Sequence, residues 1–75
     1  SIIEHDCVIG SHIHIAPGTT ISGSVIIGNG SHIGTGSSII QGIEIGYNSL
    51  IGAGAVVISN IGTNKKAIGV PAKEV

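Results

Sequence analysis

Branched aliphatic residues recur every six positions along the chain as Ile3, Ile9, Ile15, Ile21, Ile27, Ile33, Ile39, Ile45, Ile51 and Val57, with no insertion between them. A period of six is no multiple of the helical 3.6, but it is three times the strand period of two. One side chain per hexad therefore keeps the same inward orientation along extended backbone. Short strands separated by regular corners are the expected outcome. A second position, four residues after the first, holds only small or β-branched residues: Cys7, Ile13, Thr19, Val25, Ser31, Ser37, Ile43, Ser49 and Ala55. Glycine follows the aliphatic residue directly at Gly10, Gly28, Gly34, Gly46 and Gly52, where a missing Cβ permits a sharp turn or the approach of another surface. Hexapeptide periodicity of this kind is a signature of a parallel β-helix.

The chain has 75 residues, enough for one domain. A compact globule of such a size buries only about 60% of its unfolded surface, so its core must be regular or shared with a neighbour. Charged residues make up 9% of the chain and aromatics 1%, with Tyr47 the single aromatic; neither an aromatic-centred core nor a disordered segment fits. With a formal net charge of −1 and only Lys65, Lys66 and Lys73 as cations, a nucleic-acid partner is not expected, because phosphate neutralisation needs clustered Lys or Arg. Cys7 stands alone, which excludes an internal disulfide framework; its place on the small inward column predicts packing, and a reduced cytoplasm is the expected compartment. No charged segment precedes an apolar one at the start, and no aliphatic run approaches the ~20 residues that span a bilayer, so no membrane partner is expected. The chain begins without Met, directly inside the repeat. A solenoid end normally carries a cap, so these residues are expected to be part of a longer protein.

Three strands of six residues make one triangular coil of eighteen, so positions i and i+18 stack. Residues 1–58 carry the hexads and give three inner columns: Ile3-Ile21-Ile39-Val57, Ile9-Ile27-Ile45 and Ile15-Ile33-Ile51. The period alone does not specify handedness, and the usual bias for parallel crossovers is right-handed. After Val57 the ruler fails, since Thr63 and Gly69 hold the next two positions. Residues 59–66 are turn-rich and polar and suit a loop. Ala67-Ile68-Gly69-Val70 then suits one last strand that Pro71 stops, which leaves 59–75 as a closing loop, strand and tail, the tail either frayed or opening a helix.

Function is sought where the sequence departs from what stacking requires. His5 lies in Ile3-Glu4-His5-Asp6-Cys7, flanked by two carboxylates. Imidazole exchanges protons near neutral pH and a nearby carboxylate favours its protonated form, so His5 is the leading general-base candidate. Strand neighbours point to opposite faces, so Asp6 reaches the His5 ring only if a corner falls between them; a solvated corner histidine is the alternative. His14 and His32 are eighteen apart, with Leu50 next above, and face outward as a metal site, a ligand wall, a subunit contact or a plain surface ladder. Zinc needs at least three protein ligands, and His12 does not complete that set on one chain by stacking, which leaves only an adjacent subunit to supply a ligand; no metal is expected. Thr35, within Gly34-Thr35-Gly36, and Ala53, within Gly52-Ala53-Gly54, share a column. Two bare backbone patches, one above the other, suit a groove for a long thin ligand such as a pantetheine arm, or merely ease the corners.

These residues resemble the left-handed β-helix, hexapeptide-repeat acetyltransferases, and within them the bacterial sugar O- and N-acetyltransferases of the sialic acid and bacillosamine pathways. The likeness covers essentially the whole chain and rests on the hexads, on the closing Ile68-Gly69-Val70-Pro71-Ala72-Lys73, and on Ile3-Glu4-His5-Asp6-Cys7-Val8-Ile9-Gly10 followed by His14. It implies an all-β, left-handed parallel β-helix shaped as a triangular prism. It further implies acetyl-CoA as acetyl donor, a sugar or nucleotide-sugar acceptor, and a homotrimer with active sites between neighbouring prisms. By the same resemblance His5 is the proton acceptor and Asp6 the acidic group behind it, although the family often carries Glu there. His14 matches the histidine at the acetyl end of acetyl-CoA, with the Gly23 backbone nearby, and Thr35 and Ala53 match positions lining the pantetheine arm. Lys65, Lys66 and Lys73 either meet CoA phosphates or serve solubility. The family also carries an N-terminal Rossmann-like domain for the nucleotide sugar, and none of it lies within these residues.

Two rival functions remain open on the residues. A trimeric zinc β-helix like the γ-class carbonic anhydrases shares the fold, but its histidine pair with four residues between is absent here. A structural or ice-binding solenoid calls for flat ranks of Thr, and Thr19, Thr20, Thr35 and Thr63 form no such column.

Overall fold

The computed structural model describes residues 2–75. The hexads form ten strands of two residues each: β1 (Ile2–Ile3), β2 (Val8–Ile9), β3 (His14–Ile15), β4 (Thr20–Ile21), β5 (Ile26–Ile27), β6 (His32–Ile33), β7 (Ser38–Ile39), β8 (Glu44–Ile45), β9 (Leu50–Ile51) and β10 (Val56–Val57). Each of β1 to β7 pairs in parallel with the strand one coil on, in the register Ile3↔Ile21, Ile9↔Ile27 and Ile15↔Ile33. Three sheets result, β1-β4-β7-β10, β2-β5-β8 and a third that contains β3-β6-β9. They enclose a left-handed parallel β-helix of about four turns.

Two recurring devices hold the coil. At the third position after each inward aliphatic residue from Ile3 to Ile51 the backbone takes a left-handed conformation, filled by Asp6 (φ 65°), His12 (59°), Ser24 (60°) and Asn48 (53°), or by glycine as at Gly36 (71°) and Gly54 (71°). Glycine, Asn and Asp tolerate that region best, which accounts for the composition of the corners. Inside, the stacked Ile21, Ile39 and Val57 are at most 1% exposed. The small column buries hydroxyls beside them, and each donates to a corner carbonyl one coil on: Thr19 to Gly34 at 3.1 Å, Ser31 to Gly46 at 2.8 Å, Ser37 to Gly52 at 2.8 Å and Ser49 to Gly62 at 2.6 Å. Buried polar groups satisfied in this way tie successive corners together instead of costing stability.

Past Val57 the ladder shortens and then resumes. Ile61 bridges Ile45 and is 5% exposed, while Ala67 of β11 (Lys66–Ile68) pairs with Ile51. The corner between Val57 and Ile61 has lost two residues relative to the others, so the segment beginning at Ser59 supplies a further inward rung and is not wholly a loop. The terminal residues are neither frayed nor helical. β12 (Lys73–Glu74) folds back antiparallel on β11, Ala72 is buried, and its N–H donates to the Val56 carbonyl at 2.7 Å. The Glu74 carboxylate accepts from the Gly62 N–H at 3.0 Å. Backbone groups at the end of the last coil are thus paired by the chain itself.

Candidate active site

The corner between β1 and β2 contains Glu4, His5, Asp6 and Cys7. The positive φ of Asp6 turns its side chain back toward its neighbour, and Asp6 Oδ2 lies 3.0 Å from His5 Nδ1. A corner does fall between the two residues, as their contact requires. With Nδ1–H donating to the carboxylate, the neutral ring carries its free lone pair on Nε2. Both side chains are open to solvent, 86% for His5 and 76% for Asp6. Below them the Cys7 thiol donates to the Ser22 carbonyl at 3.2 Å, so Cys7 serves packing and pins this corner to the coil above.

His5 borders a pocket of about 340 Å³ whose other walls are Glu4, Thr20, Ser22, Gly23, Ser24 and Gln41. The Ser24 N–H donates to the His5 carbonyl at 3.4 Å, and the Gly42 N–H to the Gly23 carbonyl at 3.1 Å; successive corners therefore hold the walls at fixed height. The lining offers hydroxyls, an amide, the Glu4 carboxylate and an imidazole, and no lysine. Such a lining can hydrogen-bond a polyhydroxylated molecule beside an imidazole. Ser22 and Gln41 escaped the sequence reading, although the eighteen-residue interval that stacks Glu4 under Ser22 and His5 under Gly23 and Gln41 carried the signal.

His14 lies elsewhere. It projects from the third sheet, where β3 pairs with β6, and its ring stacks on that of His32 with centroids 4.5 Å apart and planes at 27°. Leu50 and Lys66 continue the same outward ladder. Among the described residues no three His, Cys, Asp or Glu side chains come together as a metal site. Thr35 and Ala53 stack at the corner between the third sheet and the first, where the Gly54 N–H donates to the Thr35 carbonyl at 2.8 Å, and both are exposed. One chain thus brings His5, Asp6 and Gly23 together and leaves His14, Thr35 and Ala53 on other parts of the prism. Gly23 lines the His5 pocket. Lys65, Lys66 and Lys73 are all exposed near the C-terminal end. No helix of the described residues is long and apolar enough to cross a membrane.

A family model described as the hexapeptide repeat of succinyl-transferase matches residues 1–39 and 24–59. A sequence comparison with curated proteins finds no match. Among solved structures, a variant of perosamine N-acetyltransferase from Caulobacter crescentus, in complex with CoA and GDP-perosamine, is similar with a TM-score of 0.95 and 36% identity over 96% of this chain and 34% of its own. The acetyltransferase domain of PglB from Neisseria gonorrhoeae FA1090, in complex with acetyl coenzyme A, is similar at 0.93 and 39% identity over 95% of this chain and 35% of its own. A UDP-N-acetylglucosamine acyltransferase aligns at 0.92 with 31% identity over 93% of this chain and 27% of its own. The chain spans about a third of the length of the solved structures it resembles.

Proposed function

The chain belongs to the hexapeptide-repeat family of succinyl-transferase type, and on that premise we propose that it is the β-helical part of an acetyl-CoA-dependent acetyltransferase whose acceptor is an amino or hydroxyl group of a sugar, in particular a nucleotide-linked sugar. The observation that carries the reading is the 3.0 Å contact between His5 Nδ1 and Asp6 Oδ2 at the mouth of a polar pocket. Similarity to enzymes crystallised with CoA, acetyl coenzyme A and GDP-perosamine supports both substrate classes. An amine is favoured as acceptor, because the pocket presents Glu4 and no cation. In this reading residues 1–58 are the scaffold and 59–75 close it, while the nucleotide is held by the N-terminal domain that the resemblance implies.

The reaction needs no covalent enzyme intermediate. His5 Nε2 takes the proton of the acceptor as its nitrogen or oxygen attacks the thioester carbonyl. A backbone amide stabilises the oxyanion, the C–S bond breaks, and the CoA sulfur leaves as the thiol after taking the proton from the imidazolium. Asp6 holds the ring in the tautomer that leaves Nε2 free and stabilises the imidazolium that forms. His14, Thr35 and Ala53 are assigned to acetyl-CoA, with the pantetheine arm along the glycine-flanked corner. Their separation from His5 on one prism supports a homotrimer in which His14 of one chain faces His5 of the next.

Replacement of His5 tests the assignment. His5→Ala in the full-length protein is expected to lower turnover by about 10²–10⁴-fold, the usual contribution of a positioned acid–base group, with acetyl-CoA binding kept. Retention of most activity would sink the role of His5.

A further inference from the structure

We infer that His32 is a positioning residue for acetyl-CoA, acting through the ring of His14; the inference rests on the assignment of His14 to the acetyl end of that substrate. His14 projects from β3 and is exposed, and an exposed imidazole has several χ1 rotamers and a broad χ2 open to it. Its ring lies 4.5 Å from that of His32 and 27° from parallel, and this contact restricts it. The support beneath the pair is rigid. The His14 N–H donates to the Ser31 carbonyl at 3.1 Å and the His32 N–H to the Ser49 carbonyl at 2.9 Å. Ser31 and Ser49 are themselves buried and joined, Ser49 N–H to Ser31 Oγ at 3.1 Å. Leu50 occupies the following rung beside His32. The backbone that carries both rings is therefore fixed, and the His14 ring lies against that of His32.

The consequence is pre-organisation. A ring already held in place loses less freedom when it meets the thioester carbonyl, so its contact with the acetyl group is stronger than that of a freely rotating imidazole. On the proposed assignment His14 meets the acetyl end while Thr35 and Ala53 line the pantetheine arm, so the effect falls on the acetyl group. His32 therefore sets the preference for acetyl-CoA over CoA and leaves affinity for the rest of the molecule unchanged. Stacking requires a flat ring, not a titratable one, so another aromatic residue at this position serves as well.

Titration calorimetry of the full-length protein with acetyl-CoA and with CoA separates the possibilities. His32→Ala is expected to reduce the ratio of the two affinities by roughly two- to tenfold, the size of one aromatic stacking contact. His32→Tyr is expected to restore the ratio. His14→Ala should reduce it at least as far, and adding His32→Ala to that variant should change it no further. If His14→Ala lowers the ratio while His32→Ala does not, or if the two losses add, the positioning role is wrong and the proposed function stands. If the protein binds neither ligand, or if His14→Ala leaves the ratio unchanged, the assignment of His14 fails and this inference fails with it.

Discussion

Ile61 stacks on Ile45 from a coil two residues shorter than the eighteen that separate every earlier pair of inward neighbours. The deletion falls entirely in the corner after Val57, and beyond it the hexad resumes, with Ala67 on Ile51. Parallel strand pairing tolerates a shorter corner as long as the inward face stays in phase. A change of two residues preserves that phase, where a change of one would turn every later side chain to the other face.

The slip makes a direct stability prediction. Were the eighteen-residue coil strict, position 63 would be inward; instead Thr63 is exposed and Ile61 is buried. Ile61→Ala is expected to cost about 2–5 kcal/mol, the usual range for truncating a buried isoleucine. Thr63→Ala, which loses only a 3.3 Å bond from the Tyr47 N–H, should cost less than about 1 kcal/mol. Urea unfolding of the two variants checks the order, and equal losses would contradict the shortened corner.

Most of the fold was legible because a single constraint, inward orientation at every sixth residue, is repeated ten times and each repeat confirms the others. Columns such as Ile9-Ile27-Ile45 therefore followed from spacing alone. The rung at Ile61 did not, since one isoleucine after a broken period carries no repetition to identify it. β12 was hidden for a related reason: Lys73-Glu74 has no apolar pattern, and its place is set by pairing with Ala67 and Ile68 and by the Glu74 bond to Gly62. At the site, the contact of His5 with Asp6 depends on the left-handed backbone at Asp6. Sequence offers the residue type but not the corner conformation. The polar pocket walls follow from stacking of corners and needed only the eighteen-residue interval applied to Glu4 and His5.

Close approach of successive coils limits substitution beside the proposed pantetheine corner. A Cβ on Gly34 would stand 2.6 Å from the Ala53 backbone nitrogen and 2.8 Å from the Ile51 carbonyl oxygen. These are backbone atoms locked in the ladder, so neither can step aside. Gly34→Ala is expected to destabilise the protein by about 1–3 kcal/mol, as overpacking of a tight interior does. A lowered urea midpoint with unchanged slope is the readout, and an unchanged midpoint would mean that the coils can part at this corner.

Asp6 tests whether the site works in water or between subunits. On the single chain its contact with His5 is nearly as exposed as two side chains can be, and solvated ion pairs contribute little, no more than about fivefold in any equilibrium they assist. Packing of a neighbouring prism over the corner would exclude water and strengthen the same contact. Asp6→Asn keeps a residue tolerant of the positive φ and removes only the charge. In the proposed homotrimer we expect kcat to fall by more than about fivefold, with KM for acetyl-CoA little changed, and sedimentation equilibrium to give three times the mass of one chain. A trimer whose kcat falls less than that would place the His5 corner on an open face. A monomer with full activity would remove the intersubunit site altogether, because His14 and His5 do not meet on one prism.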